Sequence, residues 1–108
     1  MNIALVDLNL LIVFDAVMRE KHVTRAAKRI GMTQPAVSNA LNRLRHIAKD
    51  DLFVRSPEGV ITTTRALELG PPIRQAINLV ENAFDPTSFD PMNSSADFNI
   101  AISFSFNN

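Results

Sequence analysis

Cysteine is absent from this chain of 108 residues. That excludes disulfide cross-links and thiolate metal sites, and it is compatible with a reducing cytoplasm without demanding one. No apolar run approaches the ~20 residues of a membrane span. The opening Met1-Asn2-Ile3-Ala4 lacks the basic segment of a secretory signal. A soluble, cytoplasmic protein with no membrane partner is therefore expected. No glycine-rich phosphate loop occurs, and no nucleophile sits in an elbow or triad pattern. His22 and His46 stand far apart with no carboxylate at ligand spacing, so neither a metal nor a cofactor is expected. Asp50-Asp51 reads as a solvated exit loop rather than a cation site. Nothing supports a reaction, and the chain reads as a non-enzyme.

Net charge is also missing, with 11 Lys and Arg against 11 Asp and Glu. The distribution matters more than the sum. Every Lys and Arg lies at or before Arg74, while Asp85, Asp90 and Asp97 occupy a tail without a base. Between Arg19 and Arg55 nine basic residues face three acids, the electrostatic footprint of phosphate binding.

The stretch from Thr24 to His46, TRAAKRIGMTQPAVSNALNRLRH, contains no carboxylate at all. It reads as two short helices joined by a tight turn. Thr24 is expected to cap the first, with Ala26, Ala27 and Ile30 on its apolar face and Gly31 ending it in a left-handed conformation. Thr33 is expected to cap the second, with Gln34 and Pro35 in its first turn. Val37, Ala40, Leu41 and Leu44 then recur at helical spacing. The opposite face carries Gln34, Ser38, Asn42 and Arg45 on one flank and Pro35, Asn39, Arg43 and His46 on the other. These amides, hydroxyl and guanidinium groups are of the types that reach base edges and phosphates. The pattern is a helix-turn-helix with Gln34 to His46 as recognition helix. A plain helical hairpin would seldom leave such a face free of carboxylates.

Upstream, Asp7 is expected to cap a helix to about Glu20, burying Leu10, Leu11, Val13, Phe14, Val17 and Met18. Ile12 falls on its polar side, either as a lone exposed residue or covered by another surface. Val23 reads as a hydrophobic staple ahead of Thr24. Downstream, Leu52-Phe53-Val54 and Val60-Ile61-Thr62 read as a two-stranded wing around Ser56-Pro57-Glu58-Gly59, with Arg55 at its tip. Arg55 there is either a solvated turn charge or a DNA contact. A long helix follows to about Phe84, carrying a seam of Ala66, Leu69, Ile73, Ala76, Val80 and Ala83, widened by Ile77 and Phe84. Gly70-Pro71-Pro72 should kink or break it, since two prolines remove consecutive backbone donors.

TRAAKRIGMTQPAVSNALNRLR resembles the helix-turn-helix of the LysR-type transcriptional regulators. The likeness extends through LNLLIVFDAV upstream and LFVRSPEGVITTTRALEL downstream, and RSPEGV…TTRALEL…PIRQAI is most like the nodulation regulators. The resemblance implies a mainly α fold, a winged helix-turn-helix with a long C-terminal dimerisation helix. It implies a homodimer on promoter DNA that regulates transcription. By the same resemblance Gln34 and Pro35 approach bases, and Ser38 contacts a phosphate or base. Asn39, Asn42 and Arg43 line the same face, with Thr24, Arg25, Thr33 and Arg55 completing the DNA-binding set. Leu69, Ile73, Ala76, Ile77 and Val80 would make the dimer. The expected organisation is a DNA-binding domain over 1–62, a linker helix over 63–84, a hinge over 85–97, and over 98–108 the opening strand of an effector domain whose pocket this chain lacks. The alternative is a dimerisation module that acts by pairing with a full-length relative.

Overall fold

The computed structural model describes residues 1–85. Four helices and one antiparallel strand pair follow in the order α1 (Leu8–Glu20), α2 (Val23–Ile30), α3 (Gln34–Ala48), β1 (Phe53–Ser56), β2 (Gly59–Thr62) and α4 (Thr64–Phe84). This is the expected mainly α winged helix-turn-helix. The expected hinge beyond Asp85 and the strand at Phe98 lie outside the described residues.

Asp7 caps α1 as anticipated, its carboxylate accepting from the Leu10 N–H at 3.0 Å. The helix buries Leu10, Val13, Phe14, Ala16 and Val17, and Ile12 is half-buried. It ends at Lys21, whose left-handed φ of 54° turns the chain sharply. That turn moves the next helix start. His22, not Thr24, caps α2, with its Nδ1 accepting from the Arg25 N–H at 3.2 Å. Val23 is then the first helical residue and is buried, rather than a staple outside the helix. Gly31 and Thr33 behave as expected. Gly31 takes a φ of 69°, and the Thr33 hydroxyl accepts from the Ala36 N–H at 3.2 Å. Val37, Ala40, Leu41 and Leu44 are the buried face of α3.

The wing forms around the expected turn, but its strands run Phe53–Ser56 and Gly59–Thr62 rather than over 52–54 and 60–62. Phe53 pairs with Thr62 and Ser56 with Gly59, so Pro57-Glu58 forms the tip and Arg55 lies within β1 opposite Val60. Two backbone conformations set these bounds. Leu52 takes a φ of 62°, with a hydrogen bond across it from the Phe53 N–H to the Asp51 carbonyl at 2.6 Å. This strained three-residue turn cannot belong to a strand, but it buries the Leu52 side chain fully. At the other end Gly59 takes a φ of 139°, open in practice only to glycine.

Asp50 is a structural acceptor rather than a solvated loop charge. One of its carboxylate oxygens accepts from the Thr63 hydroxyl at 2.7 Å and the Leu52 N–H at 2.8 Å. The Thr63 bond, then the Leu52 bond, holds the carboxyl below its ordinary pKa. Thr63 also accepts from the Ala66 N–H at 3.2 Å, capping α4.

The α4 helix runs through Pro71 and Pro72 as one element, so the expected break into two shorter helices does not occur. Both prolines are exposed, as are Leu67 and Glu68, whose carbonyls lose their helical donors to the two rings. Gly70 lacks the Cβ that a following proline ring would strike. The turns on either side are pinned, with Ala66 and Ile77 buried and Leu69 and Ile73 packed against the core. One compact unit spans Met1–Ile77. The remaining turns of α4 expose Leu79, Val80 and Phe84. Phe14 of α1 and Phe53 of β1 meet at the centre of the core, ring centroids 5.3 Å apart and tilted by 52°. Among the described residues no helix is long and apolar enough to cross a membrane.

Candidate nucleic-acid interface

Because α3 buries Val37, Ala40, Leu41 and Leu44, its periodicity turns Gln34, Pro35, Asn39, Asn42 and Arg43 outward, and all five are exposed. Ser38 is half-buried on the flank that faces the wing. Thr33 is exposed at the start of the helix. Thr24, displaced from its expected capping role into the first turn of α2, lies within hydrogen-bond distance of Gln34, Oγ1 to Oε1 at 3.2 Å. The two helices of the motif are thus tied together at the end that carries Gln34.

Two hollows that share Val23, Arg55 and Val60 lie between α3 and the wing. One, of about 270 Å³, is lined by Val23, Ser38, Leu41, Asn42, Arg45, Arg55 and Val60. The other, of about 210 Å³, takes in His22, Thr24, Gln34, Arg55, Ser56, Pro57 and Gly59. Arg55 lines both. The structure therefore brings Thr24, Gln34, Ser38, Asn42 and Arg55 to one concave strip. Pro35, Asn39 and Arg43 lie on the other flank, and Asn42 and Arg43 also border a hollow with Leu5, His46 and Ile47.

The charges of the strip are partly committed. Arg25 and Arg29 share Glu20, at 3.8 and 2.8 Å, and Arg43 approaches Asp7 at 3.6 Å. These guanidinium groups are all largely exposed, so such pairs are weak and screened, and a phosphate could compete for them. Among the described residues the side chains of Lys28, Lys49 and Arg55 have no hydrogen bond or ion pair. Arg45, which sequence reasoning placed among the outward polar groups, is instead an internal brace. Its guanidinium donates to the carbonyls of Asp51 at 3.0 Å and Phe53 at 3.2 Å, fixing α3 to the wing. His22 and Asp50 also escaped the sequence reading as structural residues. Histidine is an uncommon N-cap, and the Asp50 acceptor role depends on Thr63, thirteen positions away.

The residues of the expected dimer seam differ in exposure. Leu69 and Ile73 pack against the core, Ile77 is buried and Ala76 is half-buried, while Val80 is exposed.

Comparisons with known proteins place the chain in a family. LeuO of Escherichia coli (strain K12), an HTH-type transcriptional regulator, is 49% identical over 98 residues, covering 91% of this chain and 31% of LeuO. Nodulation protein D 1 of Neorhizobium galegae is 44% identical over 100 residues, covering 90% of this chain and 32% of the relative. The chain thus spans about a third of the length of these curated relatives. The nodulation proteins are indeed among its relatives, although LeuO matches at higher identity. In structure, the probable transcriptional regulator PA0477 from Pseudomonas aeruginosa superposes with a TM-score of 0.72 at 36% identity, over 82% of this chain and 30% of that one. The sequence profile described as "Bacterial regulatory helix-turn-helix protein, lysR family" matches residues 8–67. With its motif, its wing and more than half of its length so matched, the chain belongs to the LysR family of bacterial regulatory helix-turn-helix proteins.

Proposed function

We propose that this domain binds double-stranded promoter DNA sequence-specifically and regulates transcription, with α3 in the major groove and the wing against the flanking backbone. The observation that carries this reading is the exposed, carboxylate-free face of α3 beside the unpaired Arg55. Gln34 and Pro35, at the start of α3, reach furthest into a groove that admits a helix by its N-terminal end. Asn39 would favour adenine, since a side-chain amide matches its N6 and N7 edge. Arg25, Arg43 and Arg55 serve the phosphates. The LysR-family relatives are named as transcriptional regulators, which supports the same reading.

Gel-shift titrations test it. Gln34→Ala should weaken binding to an enriched site by about 1–3 kcal/mol while hardly changing binding to random duplex. An equal loss on both would assign Gln34 to the backbone. Arg55→Ala should weaken every sequence alike and make the salt slope shallower by roughly one. An unchanged slope would remove Arg55 from the phosphate contacts.

Dimerisation through α4 is part of the proposal, in amended form. Since Leu69, Ile73 and Ile77 serve their own core, the pairing surface is the exposed apolar end, Val80 with Leu79 and Phe84. Leu79→Asp with Val80→Asp should therefore yield monomers with weakened DNA binding, because a carboxylate buried at an interface is costly. Sedimentation showing an intact dimer would place the contact elsewhere. The same exposed end would serve the alternative reading, a module that pairs with a longer relative. Loss of binding to duplex DNA with rising salt separates the two, since only the DNA reader predicts it.

A further inference from the structure

Histidine is an unusual residue at the start of α2, and its capping bond fixes the chemistry of the whole ring. Nδ1 of His22 accepts from the Arg25 N–H at 3.2 Å. An imidazole nitrogen has a single lone pair in the ring plane, so an Nδ1 that accepts carries no proton. The ring is then neutral, and its proton sits on Nε2, which can only donate. Asparagine would cap the helix as well. What histidine adds is the far edge of its ring.

That edge is not used within the domain. Among the described residues His22 makes no other hydrogen bond or ion pair. Nε of Arg74 is the one buried side-chain nitrogen or oxygen among them without a partner, so Nε2 of the half-buried His22 is open to solvent. The ring borders the smaller hollow between α3 and the wing, together with Thr24, Gln34, Arg55 and Ser56. Among the residues that line it there is no carboxylate, and Arg55 brings a guanidinium with no partner of its own. A neutral N–H held beside a free cation suits an anionic oxygen. His22 also stands at the first helix of the motif, the one that crosses the DNA backbone rather than entering the groove.

We infer that His22 is a further DNA contact, a neutral ring that donates from Nε2 to a phosphate oxygen in a direction set by its bond to Arg25. This rests on the DNA-reading proposal above. One residue then serves both sides of the α2 start, accepting from the helix and donating to the backbone of the duplex.

His22→Asn isolates the far edge of the ring. Asparagine sets an acceptor at the same place along the side chain as Nδ1, so the cap on α2 is kept, while Nε2 and its proton are gone. Gel shifts compare native and variant protein on an enriched duplex and on random duplex across a potassium chloride series, with thermal melts of both proteins alongside. Affinity should fall about three- to tenfold on both duplexes, the scale of one neutral hydrogen bond. The salt slope should stay as it is, because a neutral donor displaces no counterion, and the melting temperature should move little. Undiminished affinity would overturn the inference. A slope shallower by about one would mean that the ring meets DNA as a cation, and would overturn it too. A loss confined to the enriched duplex would place the ring on a base and overturn the assignment to a phosphate. A melting temperature that fell until the loss of binding matched the unfolded fraction would leave His22 as a cap alone. Native protein that failed to bind duplex DNA at all would instead overturn the DNA reading itself, and this inference with it.

Discussion

Gly59→Ala is expected to destabilise the domain by about 3 kcal/mol or more, a fall in melting temperature on the order of 15 °C. Two separate costs combine. The φ of 139° at this position is one that residues with a side chain scarcely adopt, and the added Cβ would fall on the carbonyl oxygen of Lys21. That carbonyl is not a movable group. It accepts from the Val60 N–H at 2.9 Å and belongs to a residue already held at a φ of 54° by the turn between α1 and α2. The wing is therefore seated on the first helix turn through a contact that has no room for a methyl group. Gly31 supplies the control. It also has positive φ, 69°, but an added Cβ there meets nothing within 4 Å. Gly31→Ala should cost only about 1 kcal/mol, the strain alone. Thermal melts of the two variants side by side decide the matter. If they fell by the same amount, the close approach of Gly59 to Lys21 would not be what holds the wing.

The contrast between these two glycines also shows what the sequence could and could not disclose. Gly31 follows an apolar helical face and precedes a threonine and a proline, so its capping role is legible from neighbours alone. The buried faces of α1 and α3, the Asp7 and Thr33 caps and the outward set on α3 are local in the same sense. Each follows from spacing within one helix. What stayed hidden depends on contacts between distant segments. Gly59 matters because of Lys21, Asp50 because of Thr63, and Arg45 because of Asp51 and Phe53. The unbroken α4 belongs with these. Proline propensity opposed it, and the anchoring of Ala66, Leu69 and Ile73 on the core outweighed that local preference. The start of α2 was missed for a different reason. Thr24 is the better capping residue by type, but the chain turns at Lys21 and buries Val23, which leaves His22 at the capping position.

Phe53→Ala should be among the most damaging changes in the core, at about 3–5 kcal/mol, against the roughly 5–15 kcal/mol that holds a domain of this size. Phe53 belongs to the wing by sequence and to the core by position. Strand alternation sends it inward against Phe14, while its neighbour Val54 points out and is 47% exposed. A two-stranded pair is marginal without such support, so the wing should not melt apart from the helices but with them. Urea unfolding tests this directly. Phe53→Ala should lower the midpoint with little change in slope, because the same surface is exposed in one cooperative step. Val54→Ala should shift it by no more than about 0.5 kcal/mol. Phe14→Ala should match Phe53→Ala, and the double variant should fall short of the sum, since removing one ring already empties half of the shared contact. If Phe53→Ala left the midpoint in place and lowered DNA affinity alone, the wing would be a flap resting on the helices, and the ring pair would contribute nothing to the fold.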